Sequence, residues 1–247
     1  RRILGTSTKI EKGEKMGILT VVLYLAAADR SGMNTCPMAS AGCKAACLGH
    51  TTGRLAMSQA QRAQLYKTVA FYVAPDLFIE QLNAEIVLHK CRARAMGKRC
   101  AVRLNGSSDI LWEKYGVPQQ HPDVEFYDYT KWSRKARSRR PANYSLTFSL
   151  DERSESMERA AEWLSNGGNA AIVVASDQMP KGGSIKTPQA RKVAARMVRN
   201  GYAGYPAISG DESDARMDDA PGSWVVLYAK GRDALSDVSG FVRRFAL

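Results

Sequence analysis

Long hydrophobic runs are missing from this chain of 247 residues. A membrane-spanning helix needs about 20 consecutive apolar residues, and the strand-like run at residues 18–27 is too short. The first residues, 1–5, also lack the long apolar core and the small-residue cleavage site of a signal peptide. We therefore expect a cytoplasmic protein without a membrane partner.

Cysteine is scarce, and the five cysteines are an odd number, which argues against a disulfide scaffold. In a reducing compartment, clustered thiols more often indicate metal or redox chemistry. Three of them, Cys36, Cys43 and Cys47, lie within twelve residues of a loop that contains proline and glycine. Cys91 and Cys100 are isolated in separate elements and suit ordinary packing. We predict that the clustered three are metal ligands.

Three thiolates are one fewer than the four ligands of a closed zinc or iron–sulfur site. Histidine is also rare, with three in the chain, and only His50 is near the cysteines. A fourth ligand then comes from water, His50 or a carboxylate, or one metal position stays open to a small molecule. The residues alone thus leave an iron–sulfur cluster and a zinc site open as alternatives.

No glycine-rich phosphate loop follows any predicted strand, so the sequence gives no support to a dinucleotide-binding fold. Short strands alternate with helices, and this order indicates a parallel sheet with crossover helices. We predict one α/β domain over residues 1–247, built as a partial, open β/α barrel of about six units. The cluster loop spans residues 34–54 and a helical segment spans 57–97.

The predicted strands are 18–27, 100–104, 124–129, 144–149, 170–175, 207–208 and 224–229. The predicted helices are 58–73, 76–96, 109–115, 155–165 and 188–199, with Asp76 as an N-cap, Gly97 as a stop and a further helix in the basic stretch after the third strand.

Polar side chains recur where the predicted strands end, which is the catalytic end of a β/α barrel. The candidate site residues are Arg103, Asn105, Asp109, Asp128, Tyr129 and Lys131. Arg103 and Lys131 suit a carboxylate or phosphate, and Asp109 or Asp128 suits an amine or hydroxyl. Asn105 and Asp128 are expected to face a bound cofactor.

The chain carries a formal charge of +12, which calls for a partner of opposite sign. The densest basic stretch, residues 131–140, is expected to contact nucleic-acid phosphates. Its candidate contact residues are Arg134, Lys135, Arg137, Arg139 and Arg140. The acidic turn at residues 211–214 raises a further alternative, a hydrolase or nuclease that uses a divalent ion.

Several sequence blocks resemble a family of phage proteins called gene product 88. The similar blocks are residues 23–26, 36–40, 43, 47–48, 53–54, 103–110, 126–131 and 210–214. The family name implies a virus-encoded protein in a bacterial host cytoplasm and specifies no activity.

The cysteine loop after the first strand also resembles that of radical S-adenosylmethionine enzymes. In those enzymes three thiolates hold a [4Fe–4S] cluster, and the fourth iron binds the cofactor. The spacing here is C-x6-C-x3-C, whereas the usual spacing is C-x3-C-x2-C. The resemblance implies an iron–sulfur enzyme that uses S-adenosylmethionine. The competing interpretation is a basic nucleic-acid-binding protein, stabilised by a cluster or by zinc and used in phage replication or regulation.

Overall fold

The computed structural model describes residues 2–6, 16–51, 53–178 and 188–246, with the backbone alone for residues 50, 51, 53 and 54. The described residues form nine strands and eight α-helices. The strands are β1 (Leu4–Gly5), β2 (Ile18–Leu23), β3 (Arg99–Arg103), β4 (Glu125–Thr130), β5 (Tyr144–Ser149), β6 (Asn169–Ser176), β7 (Ala207–Ser209), β8 (Trp224–Tyr228) and β9 (Arg243–Phe245). The helices are α1 (Ala41–Ala45), α2 (Leu48–Thr51), α3 (Ser58–Val73), α4 (Pro75–Ala95), α5 (Val117–Gln120), α6 (Ser156–Ser165), α7 (Pro188–Asn200) and α8 (Gly231–Leu235). Short 3₁₀ turns occur at Gly53–Ala56, Trp112–Tyr115 and Arg216–Asp218.

All nine strands belong to one sheet, in the order β1-β2-β3-β4-β5-β6-β8-β7, and β9 pairs with the end of β6. β1 is antiparallel to β2, and every other strand pair is parallel. Parallel neighbours require a crossover connection. Helices α3 and α4 connect β2 to β3, and α6 and α7 make later crossovers. In the described part of the chain the sheet does not close on itself, so the architecture is an open mixed α/β fold.

The main hydrophobic core lies between the long helices and one face of the sheet. Leu19 and Leu23 of β2 point into it because alternate residues of a strand share a face. They pack with Phe71 of α3 and with Leu82 of α4, and Trp163 of α6 is buried in the same core.

The opposite face of the sheet carries a second, smaller apolar cluster. Ile18, Ala101 and Tyr127 come from β2, β3 and β4 and pack with Ala215. Ala215 precedes the 3₁₀ turn Arg216–Asp218, which contacts β4 and β5. The chain after β7 therefore covers the sheet face that the long helices leave open.

Most predicted elements are confirmed, several of them with shifted ends. The bounds of α3 and β5 agree with prediction, and the expected helix stop at Gly97 has the left-handed φ of +63° that glycine favours. The predicted N-cap at Asp76 is wrong. Ala74 is the N-cap, because Pro75 lacks an N–H and occupies the first helical position.

Three further predictions differ from the structure. The strand predicted over 18–27 ends at Leu23. The helix predicted over 109–115 is only a 3₁₀ turn at Trp112–Tyr115. The basic residues 131–140 form turns instead of a helix, because Arg137 is drawn into the interior. Within the described residues, no helix has the length and apolar character needed to cross a membrane.

Candidate functional site

The cysteine loop follows β2 and is held at the edge where the parallel strands end. Glu152, which follows β5, accepts hydrogen bonds from Ser40 Oγ at 2.7 Å and from the Gly42 amide at 2.8 Å. Arg153 donates from Nη2 to the Met38 carbonyl at 2.9 Å. These contacts, called the Glu152 clamp below, connect the loop to a segment more than a hundred residues away.

Gly42 allows this clamp to form. A Cβ atom at Gly42 would lie 2.8 Å from a Glu152 carboxylate oxygen, closer than carbon and oxygen can approach without a shift. A side chain at position 42 would thus displace the Glu152 carboxylate, and glycine leaves room for the clamp.

The three clustered thiols are partly exposed and lie in different local settings. Cys36 Sγ donates to the Ser107 carbonyl at 3.7 Å, and Ser107 lies in the loop that follows β3. Cys43 lies in α1, where its amide donates to the N-cap residue Ser40 at 3.2 Å. Cys47 Sγ accepts from the Gly49 amide at 3.4 Å. The loop thus joins the ends of β2, β3 and β5.

The thiols share one electrostatic environment. Burial raises the pKa of Cys36 to about 12 and that of Cys43 to about 11, and the Cys47 thiol adds to both increases. Asp109 also raises both pKa values, whereas Lys131 lowers the pKa of Cys43. In the absence of a cation these thiols are protonated at neutral pH, so metal loading would release protons.

No group of three or more His, Cys, Asp or Glu side chains has metal-ligand geometry among the described residues. The three thiols are thus near one another without forming a preassembled site. The predicted ligand His50 has a side chain outside the described part of the chain.

Asp109 and Lys131 are the predicted site residues whose charges affect the pKa values of the thiols. Asp109 acts on Cys36 and Cys43, and Lys131 acts on Cys43. Asp109 Oδ2 accepts from the Lys131 amide at 2.7 Å. Asp109 Oδ1 is buried and has no hydrogen bond of good geometry in the described residues. Lys131 Nζ donates to the Ser149 carbonyl at 2.9 Å and lies 3.6 Å from Asp151. The Asp109 carboxylate also interacts with the Thr130 side chain, which favours its charged form. The Lys131 ammonium is already paired.

Asn105 and Asp128 form a buried framework next to this region. Asp128 accepts a hydrogen bond from the backbone N–H of Asn105 at 2.9 Å and another from the Tyr144 hydroxyl at 2.7 Å. Burial raises the pKa of Asp128 to about 7, although Arg103 and Tyr144 favour its charged form. The Asn105 side-chain oxygen accepts three hydrogen bonds, from Ser108 Oγ, the Ile110 amide and Trp112 Nε1. Both side chains therefore hold the loop after β3 in place.

Arg103 and Tyr129 lie on the sheet face opposite the long helices. The Arg103 guanidinium is 5.2 Å from the centre of the Tyr129 ring and donates to Asp214 at 3.1 Å. In the same acidic turn, Asp211 is ion-paired with Lys230. The two aspartates thus have separate cationic partners.

The basic stretch does not form one phosphate-facing surface. Arg137 is fully buried, 3.3 Å from Glu113 and 5.3 Å from the centre of the Tyr144 ring. Arg134 and Arg140 both lie over the ring of Trp163. Lys135 and Arg139 are the exposed members of the predicted set.

Sequence reasoning missed Asp151, Glu152 and Arg153, although they follow β5 as the other candidates follow β3 and β4. Applying the same strand-end rule to β5 would have found them. The contacts of Glu152 and Arg153 with the cysteine loop cannot be inferred from the sequence, because they join segments more than a hundred residues apart.

These features define an α/β protein with a parallel sheet and a thiol-bearing loop at the edge where its strands end. The model of the gene product 88 family, a family of phage proteins, matches residues 3–244, so the chain belongs to this family. Comparison with curated proteins and with solved structures found no match.

The buried pair Arg137–Glu113 generates a stability prediction. Arg137→Ala should lower the free energy of unfolding by about 3–5 kcal/mol, because it leaves the Glu113 carboxylate buried without its cation. Arg139→Ala, which removes an exposed charge from the same stretch, should change it by less than about 0.5 kcal/mol. Urea unfolding measures both. Equal effects of the two variants would contradict the structural role of Arg137.

Proposed function

We propose that this protein binds a [4Fe–4S] cluster on Cys36, Cys43 and Cys47 at the edge where the parallel strands end. The fourth iron is then open to a small molecule, with S-adenosylmethionine as the first candidate. We also propose that the fold is a partial β/α barrel. In support, β2 to β6 are adjacent in the sheet in chain order and run parallel.

The observation that carries the proposal is the Glu152 clamp. A loop with three thiols would otherwise be a polar surface segment, yet Glu152 and Arg153 hold it against the end of β5. Cys36 also contacts the loop after β3. A metal drawn in by this loop would lie over the strand ends, where ligand sites of β/α folds form.

Charge at this edge also supports an anionic cluster. Thiolates are the ligands that iron–sulfur clusters prefer, and three of them give the site negative charge. The Lys131 ammonium lowers the pKa of the Cys43 thiol, so it would offset part of that charge. Asp109, whose buried Oδ1 has no hydrogen bond of good geometry in the described residues, is the side chain best suited to bind the amine or hydroxyl of a ligand, or the open iron itself.

Cysteine substitutions test the ligand set. Cys36→Ala, Cys43→Ala and Cys47→Ala should each abolish iron and sulfide retention after anaerobic purification, because no neighbouring side chain replaces a thiolate. Cys91→Ala, at an exposed position, and Cys100→Ala, at a buried one, are matched controls that should keep the cluster. Full metal content in Cys43→Ala would refute the assignment, and zinc without sulfide would identify the alternative metal.

The Glu152 clamp makes a separate prediction. Glu152→Ala should weaken metal binding by about 10–100-fold, because the loop loses the partner that orients it. Glu158→Ala removes an exposed carboxylate from α6 and should leave metal affinity unchanged. Competition with a chelator measures both. Wild-type affinity in Glu152→Ala would show that the clamp does not position the thiols.

The open iron is tested by electron paramagnetic resonance of the reduced cluster. S-adenosylmethionine at millimolar concentration should change the spectrum, and Asp109→Asn should weaken that change because an amide cannot supply the carboxylate charge. Asp123→Asn, at an exposed position, is the control. If the ligand has no effect and Asp109→Asn alone alters the spectrum, Asp109 is the fourth ligand. If His50→Ala destroys the cluster instead, His50 closes the site.

A further inference from the structure

Helix α7 (Pro188–Asn200) carries charge of one sign only. Its four charged residues are Arg191, Lys192, Arg196 and Arg199, and it contains no acidic residue. Helix α3 also lacks acidic residues but has only two cations, Arg62 and Lys67. Helix α4 has as many acidic as basic residues, and α6 has two glutamates and one arginine. A third of the net charge of +12 is thus placed on one helix of 13 residues.

The packing of α7 turns these charges outward. Ala190, Val193 and Met197 are its buried residues, and the last two belong to the main core. Lys192, Arg196 and Arg199 recur at spacings of four and three residues, so they share a face of the helix. Lys192 and Arg199 are exposed, and Arg196 is half-buried.

None of these cations is neutralised by a carboxylate of the described residues. Arg196 donates to the Ala246 carbonyl, and Arg191 lies 5.3 Å from the centre of the Tyr228 ring. Lys192 and Arg199 have no hydrogen bond or ion pair in the described part of the chain. This contrasts with the 131–140 stretch, where Arg137 is paired with Glu113.

We propose that the face of α7 formed by Lys192, Arg196 and Arg199 binds the sugar–phosphate backbone of nucleic acid without reading its sequence. Seven residues of helix span about 10 Å, which equals the rise of about three nucleotides of one DNA strand. The three cations are separated by about 6 Å and about 4.5 Å along the helix axis, so their long side chains can each reach a phosphate within that length of strand. This function is independent of the metal site and uses none of its residues.

The test measures binding of a labelled 20-base-pair duplex by fluorescence anisotropy at several salt concentrations. The wild-type protein should bind with a steep salt dependence. The variant Lys192→Gln/Arg196→Gln/Arg199→Gln should reduce the slope of log affinity against log salt by about 2.7, because each duplex phosphate contact contributes about 0.9. Lys192→Gln/Arg199→Gln keeps the Arg196 contact with Ala246 and should reduce the slope by about 1.8.

The matched control is Arg62→Gln/Arg92→Gln/Arg94→Gln, which removes the same charge from exposed positions on α3 and α4. It should leave the slope unchanged, and thermal unfolding confirms that each variant is folded. The proposal is overturned if the wild type does not bind at about 50 mM salt, a concentration at which phosphate contacts are strong. It is also overturned if the control loses as much slope, or if the face binds phosphatidylserine vesicles but not the duplex.

Discussion

The parallel pairing of neighbouring strands is the constraint on which the candidate site depends. Because consecutive strands point the same way, the loops after β2, β3, β4 and β5 all emerge at one edge of the sheet. This places thiols from residues 36–47 beside carboxylates and an ammonium from segments about 70 to 110 residues further along the chain. Residues far apart in the sequence thus lie close together in the fold, and no local sequence pattern indicates that they do.

Buried charge is the second feature that organises this edge. Half-buried Arg103 lies between the buried carboxylates of Asp128 and Asp214, and Arg137 with Glu113 forms a fully buried pair. Such pairs cost desolvation and depend on their partners, so they restrict the loops to a defined arrangement. Four of the predicted site residues, Arg103, Asn105, Asp128 and Lys131, have their polar groups engaged by the protein itself. Asp109 is the exception, since one of its oxygens has no well-formed hydrogen bond.

Local periodicity was sufficient to predict much of the fold. The bounds of α3 and β5 follow from apolar spacing and flanking breakers, and the alternation of strands and helices predicts a parallel sheet. β1 and β9 were missed because two or three residues are too few to show alternation. The basic stretch was misread as a helix, because charge density does not reveal that Arg137 finds a buried carboxylate in Glu113. For the candidate site, residue type and position after a strand predict the cysteines and Asp109, whereas the pairing of Lys131 and the Glu152 clamp depend on tertiary contacts that the sequence does not show.

The distance along the chain between the cysteine loop and its clamp has a consequence for synthesis on the ribosome. The Gly42 amide and the Glu152 carboxylate that accepts its hydrogen bond are 110 residues apart. At about 5–20 residues per second, Glu152 is made roughly 5–20 seconds after the thiols. During that interval the three cysteines belong to a nascent chain whose sheet lacks β5. The loop therefore gains its clamped shape late, and a metal that arrives earlier would meet thiols that Glu152 does not yet hold in place.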